Sequence, residues 1–186
     1  PVSKGILGFA TGLRSPNTTG HFDGFSSFIL GEKDTSDNIN HISTDHLFNG
    51  EKKGSYQEIS MPHPLNCYAK TKLLGEKGVM TLADDNFRPI SLRQGTVGGW
   101  SPRMRFDLVV NTMTKSALLD GRILVNNPNL WRPLVDIRDV VSAYKKAIDS
   151  PLELTGVFNI SEKNYTVGQL GEEIHKYLTS TRGYDV

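Results

Sequence analysis

One cysteine, Cys67, stands in 186 residues. It excludes an intramolecular disulfide framework and offers no metal-ligand set, which makes a reducing, cytoplasmic setting the default expectation. No apolar run approaches the ~18 residues of a membrane span, and the N-terminus has no charged-then-apolar leader pattern. Charge of one sign is lacking too. Twenty-one Lys and Arg against 20 Asp and Glu leave a net charge of +1, so no bulk attraction to nucleic acid or membrane is expected. Internal repeats and low-complexity tracts are absent, so any partner has to be argued from local sites. Asn17-Thr18-Thr19 matches a glycosylation acceptor pattern, which is coincidental in a protein that is not secreted.

What is present begins at about residue 39. Residues 1–38 are rich in Gly, Ser, Thr, Asn and Asp, a composition that predicts irregular or poorly ordered structure. Residues 39–43 read as a strand, 66–84 as a helix and 88–93 as a buried strand. In that order they form a right-handed crossover, the tail of a doubly wound parallel sheet. Beyond Gly98-Gly99 a smaller domain is expected, with helices over 106–120, 138–149 and from 167 to about 178. Short strands are expected at 123–125, 134–137 and 157–160, and 184–186 reads as the start of another.

Tyr68 and Lys72, one helical turn apart, carry the chemistry. On a helix they share a face. An ammonium held near a phenol favours the phenolate and lowers a pKa that starts near ~10 toward the range useful for proton transfer. Pro64-Leu65-Asn66 leads into this helix with Asn66 as its cap. Cys67, beside Tyr68, points elsewhere and reads as a packing residue.

Four segments, in order, resemble the extended short-chain dehydrogenase/reductases, the NAD(P)-dependent epimerases, dehydratases and reductases of nucleotide sugars. Ser43-Thr44-Asp45-His46-Leu47-Phe48-Asn49-Gly50 is similar to the strand end supplying the family's catalytic Ser or Thr. Pro64-Leu65-Asn66 with Tyr68, Lys72 and Gly75-Glu76 resembles the catalytic helix. Ser91-Leu92-Arg93-Gln94-Gly95-Thr96-Val97-Gly98-Gly99 looks like the next strand and the loop passing the nicotinamide. Trp131-Arg132-Pro133-Leu134-Val135-Asp136-Ile137-Arg138-Asp139-Val140 resembles the segment whose arginine holds the nucleotide diphosphate.

The resemblance implies an α/β fold: the C-terminal part of a Rossmann-like doubly wound sheet (39–100) and a smaller α/β substrate domain (101–186), incomplete at its C-terminus. It implies Tyr68 as general acid/base, Thr44 as hydrogen-bond partner of the reacting oxygen, and Lys72 as the group tuning Tyr68 and contacting the nicotinamide ribose. Ser43, Tyr68, Lys72, Gln94, Gly95 and Val97 would line NAD or NADP. Asp45, His46, Thr96, Arg103 and Arg132 would meet a nucleotide-diphosphate sugar; a guanidinium grips phosphate oxygens in a two-pronged way. Arg105 and Arg138 read as solvated surface residues. No metal is implied, and the catalytic helix is one that the family packs into homodimers. The sequence departs from the family at Asp136, where histidine is usual, and at Thr96, where the loop often has asparagine.

A complete member opens with a strand and a glycine-rich turn that receives the cofactor pyrophosphate. The segment from Gly5 to Gly12 does not fit that pattern, and three βα repeats of ~30 residues do not fit before Thr44. The chain therefore reads as an internal fragment or a shortened relative, expected not to bind NAD usefully unless another chain supplies the missing half. Within the family, His46 stands where dehydratases carry glutamate, which weighs against dehydration. The run Ser43–Phe48 approaches dTDP-4-dehydrorhamnose reductases, whereas the arginines look more like UDP-glucose 4-epimerases. The expectation is sugar-carbon oxidoreduction chemistry with epimerisation ahead of reduction; a non-catalytic binding module of the same fold is the alternative from another class.

Overall fold

The computed structural model describes residues 8–9, 26–29, 37–49, 56–85, 87–151 and 153–186. In chain order these form β1 (Gly8–Phe9), β2 (Ser26–Ile29), β3 (Asp37–Thr44), a 3₁₀ turn (Asp45–Leu47), α1 (Cys67–Met80), β4 (Phe87–Gln94) and β5 (Thr96–Gly98). There follow α2 (Val109–Asp120), β6 (Trp131–Asp136), α3 (Ile137–Ile148), β7 (Gly156–Ile160), β8 (Lys163–Thr166), α4 (Val167–Lys176) and a π-helical turn (Tyr177–Thr181). Two compact units result. One comprises the described residues of Pro1–Gly95 with Arg138–Ile160, the other Thr96–Ile137 with Ser161–Val186.

In the first unit the sheet order is β1-β2-β3-β4-β7. β3, β4 and β7 run parallel, with α1 crossing from β3 to β4 as expected, while β2 pairs antiparallel with β3. The expected division at residue 101 is therefore interleaved in the structure: α3 and β7 return to the first unit, because Ile90 to Gln94 of β4 pair with Gly156 to Ile160. Pro89 lies just before that ladder begins, so its missing N–H costs β4 no bond to β7.

The two faces of β4 differ by the period of the pleat. Ile90 and Leu92 form an apolar core with Ala147 of α3, joined by Tyr144, Phe158 and Ile160. Burying each such aliphatic side chain contributes about 1.5–3 kcal/mol. Ser91 and Arg93 occupy the other face, and register sets them opposite His41 and Ser43 of β3. All four are buried. Against them α1 turns Lys72 and Glu76, also buried, beside Ala69 and Val79. A helix that buries charges among apolar groups has little amphipathic contrast.

Tyr144 gives a prediction for the apolar side. Its hydroxyl is buried with no hydrogen-bond partner among the described residues, and burial pushes the phenol pKa strongly upward. An unpaired buried hydroxyl costs stability, so Tyr144→Phe should be neutral or stabilise by up to about 1 kcal/mol. Urea midpoints of the two proteins check this, and a loss of similar size would show that the hydroxyl is satisfied.

The second unit holds the sheet β5-β6-β8, with β5 parallel and β8 antiparallel to β6. Met113 of α2 packs with Val167 and Leu170 of α4 in its core. α2 ends at Gly121, whose φ of 61° provides the expected left-handed cap. Thr166 and Gln169 form a reciprocal capping box at the start of α4.

Several boundaries differ from expectation. α1 stops at Met80, where the Thr81 hydroxyl donates to the Gly78 carbonyl. α2 begins three residues late because Asn111 and Thr112 side chains donate to the Arg105 and Phe106 carbonyls and hold them outside the helix. Residues 123–125 are not a strand: Ile123 and Val125 press side chains against Gly171 of α4, where an added Cβ would lie 2.9 Å from Val125 Cγ2. Residues 184–186 are irregular as well. The short strands β5 and β8 were not anticipated. Most of 1–38, including most of the segment from Gly5 to Gly12, lies outside the described residues, although β1 and β2 are strands.

Candidate functional site

The parallel strands of the first unit end level with one another, Thr44 opposite Gln94 and Gln94 opposite Ile160. Gly95 follows directly, its N–H donating to the Ile160 carbonyl at 2.9 Å. In open α/β sheets the crevice beyond these carboxyl ends is where ligands bind.

Thr44 closes β3 and caps the 3₁₀ turn, its Oγ1 accepting from the His46 N–H at 3.3 Å. The same hydroxyl donates to Asp45 Oδ1 at 3.4 Å. That is a long, weak bond, so the proton is readily redirected to a better acceptor. Asn66 Oδ1 accepts the Ala69 N–H at 2.8 Å and starts α1 as expected. This orients Tyr68, half-buried, and Lys72, buried.

Lys72 Nζ donates to the carbonyl of Ile42 at 3.1 Å and lies 5.9 Å from the centre of the Tyr68 ring. Burial holds the Lys72 ammonium below the usual lysine pKa. Its charge, poorly solvated, therefore acts more strongly on a neighbouring phenol than a surface lysine would. The exposed His46 ring also meets Tyr68 edge-on, centroids 6.0 Å apart. Tyr68 thus neighbours both the Lys72 cation and the turn that Thr44 caps.

Beneath this lies a buried polar cluster. Arg93 grips Glu76 with both prongs, Nε to Oε2 at 2.9 Å and Nη2 to Oε1 at 2.6 Å. Ser91 Oγ donates to Glu76 Oε2 at 3.1 Å and pairs with His41 Nδ1 at 3.1 Å. With the Ser91 proton committed to the carboxylate, Nδ1 is the donor of that last bond. Burial alone would raise the Glu76 pKa, but the Arg93 hydrogen bonds and charge, aided by the nearby serine hydroxyls, hold it below the usual range. Ser43 Oγ, also buried, lies beside the Glu76 carboxylate.

The first unit therefore carries Ser43, Thr44, Asp45, His46, Tyr68, Lys72, Gln94 and Gly95. Thr96, Val97, Arg103 and Arg132 belong to the second. There Thr96 and Val97 pair with Leu134 and Val135, and Arg132 lies in β6 opposite Tyr165. Arg103 is exposed in a turn where the Ser101 hydroxyl accepts its N–H. Arg105 pairs with Asp107 at the surface at 2.6 Å. His41, Glu76, Ser91 and Arg93 were given no role by the sequence reading; their signal is the spacing Tyr68, Lys72, Glu76 along one helix stripe and the alternation of Ser91 and Arg93 along β4. Among the described residues no cluster of three metal-ligating side chains occurs, and no helix is long and apolar enough to cross a membrane.

Comparison with known proteins adds the family. The RmlD substrate binding domain matches residues 33–182. The dTDP-4-dehydrorhamnose reductase of Aggregatibacter actinomycetemcomitans is 47% identical over 45 residues, 24% of this chain and 15% of that protein. Methionine adenosyltransferase 2 subunit beta of Xenopus laevis is 50% identical over 40 residues, 22% and 12% of the respective chains. The solved UDP-glucuronic acid 4-epimerase of Bacillus cereus, in complex with UDP-glucuronic acid and NAD, superposes with a TM-score of 0.65 at 26% identity. That superposition covers 75% of this chain and 45% of the epimerase. The chain spans less than half the length of the solved relative, and the curated matches are shorter still. It belongs to the RmlD substrate binding domain family, within the extended short-chain dehydrogenase/reductases.

Proposed function

We propose that this chain carries the acid–base site of an NAD(P)H-dependent reductase acting on the keto carbon of a nucleotide-diphosphate sugar. The observation that carries it is the buried Lys72 ammonium set beside Tyr68, next to the turn capped by Thr44. Tyr68 donates its proton to the carbonyl oxygen as negative charge develops there, and the Lys72 ammonium stabilises the phenolate left behind. Thr44 turns its hydroxyl from Asp45 to the same oxygen. Within the first unit Asp45 and His46 are the groups proposed to face the sugar; within the second, Arg103, Arg132 and Thr96 have the donor chemistry that a nucleotide diphosphate requires.

A hydroxyl and an ammonium on one face of α1, at the carboxyl ends of parallel strands, have the donor chemistry that ribose hydroxyls require. These two groups suit the nicotinamide ribose, and Ser43, Gln94 and Gly95 of the same unit would line the ring. When bound, NAD(P)H supplies the hydride.

The family and the reductase relative favour reduction over the epimerisation that the arginine segments suggested. The test follows from stoichiometry in a full-length version that supplies the cofactor-binding half: with dTDP-4-dehydrorhamnose, a reductase oxidises one NADPH or NADH per sugar, read at 340 nm. Isomer interconversion with no net cofactor change would assign epimerisation instead. The match to a subunit of an adenosyltransferase favours a second reading, a module that binds a partner chain; if that were its whole role, neither sugar nor cofactor would change.

A further inference from the structure

Arg93 touches each segment that frames the site. Its fork holds Glu76 on α1, two turns beyond Tyr68 and one beyond Lys72. Its Nη1 donates to the Glu58 carbonyl at 3.1 Å, on the segment leading into α1. Its guanidinium lies 5.5 Å from the centre of the Phe48 ring, immediately after the turn capped by Thr44. Phe48 in turn stacks on Tyr56 at 4.5 Å. The same segment is fastened to β7, where Glu58 Oε1 accepts the Asn159 N–H at 2.9 Å and Asn159 Nδ2 donates to the Tyr56 carbonyl.

A buried ion pair is not in itself evidence of stability, since desolvation offsets much of its attraction. Two apolar residues would pack this helix to the sheet as well. What they would not do is fix three segments by directed bonds from one rigid fork. We propose that Arg93 and Glu76 are the positioning pair of the site, setting Lys72 and Tyr68 on α1 at their working distance from each other and from Thr44. Neither touches substrate; both act through the placement of α1 and the turn. The inference rests on the acid–base reading of Tyr68.

Arg93→Lys tests it with charge conserved. Lysine can pair with Glu76 but cannot at once reach Glu58 and lie over Phe48. The expected result is a folded protein with kcat for dTDP-4-dehydrorhamnose reduction about 10- to 100-fold lower and KM within about threefold of wild type. In ¹³Cζ-tyrosine NMR, with Tyr68 assigned from Tyr68→Phe, the phenol titrates at higher pH than in wild type because the Lys72 ammonium has moved away. Since net charge is unchanged, that shift reports geometry rather than a lost charge. A folded variant with the Tyr68 titration unmoved overturns the proposal, whether or not kcat falls, because a fall alone would reflect general loosening.

If Arg93→Lys does not fold, Glu76→Asp, one methylene short with its charge kept, is judged by the same criteria. Turnover surviving Tyr68→Phe would instead refute the acid–base reading, and the NMR shift would still decide the positioning role.

Discussion

In a full-length version that supplies the cofactor-binding half, replacing Tyr68 with phenylalanine should lower turnover by about 10²- to 10⁴-fold, the range expected on removing a positioned general acid. Affinity for the nucleotide sugar should stay within about threefold. The change deletes one oxygen and leaves the ring. Its edge-on contact with His46 and its place beside Lys72 are retained, and Lys72 keeps its bond to the Ile42 carbonyl. Helix α1 is held by the Asn66 cap and the Glu76–Arg93 fork, neither of which involves the phenol. Fold and binding are thus insulated from the loss, and the proton donor alone disappears. Single-turnover rates and calorimetric binding of a dTDP-sugar measure the two sides separately. Normal turnover in a folded variant would remove Tyr68 from the mechanism.

Tyr68 and Lys72 were legible because their relation is local: a four-residue spacing on a helix that Asn66 visibly starts. Thr44 was legible for a similar reason, as the last residue of a strand before a polar turn. The cluster beneath them was not. Ser91 and Arg93 alternate with Ile90 and Leu92, a pattern that reads equally well as a solvated strand face. That the face is covered depends on α1 lying across it, and that His41 meets Ser91 depends on register between strands 50 residues apart. A one-residue slip would have turned all of these side chains to the other face. No local feature of the sequence marks Glu76 as buried; that follows from the placement of Arg93 across it. The return of β7 to the first sheet is likewise non-local, set by pairing with β4 and not by any mark near residue 156. Residues 123–125 misled in the opposite sense, since three apolar residues suit a strand and a side-chain contact equally.

His41 ties the cluster to pH, and its effect on stability is large. The side chain is fully buried. Burial first, and then the Lys72 charge, lower its pKa from 6.5 to about 4, with Glu76 acting in the opposite sense. As pH falls below 6.5 the unfolded chain takes up a proton that the folded chain refuses until about pH 4, so stability must decline across that window. The decline from this residue amounts to roughly 3 kcal/mol and is complete at the lower pH. Glu76, held below its ordinary pKa, adds a further loss only at the acid end, once pH falls below that ordinary value and the unfolded chain takes up a proton that the folded carboxylate refuses. His41→Asn places an amide donor near the position of Nδ1, able to bond Ser91 without titrating. The variant should start less stable at pH 7, having lost part of the ring, yet show a much flatter dependence between pH 6.5 and 4.5. Urea unfolding at half-unit steps compares the two slopes. Identical slopes would mean that His41 is protonated or solvated in the folded state, and the cluster would then lack the neutral imidazole that its hydrogen bonds require.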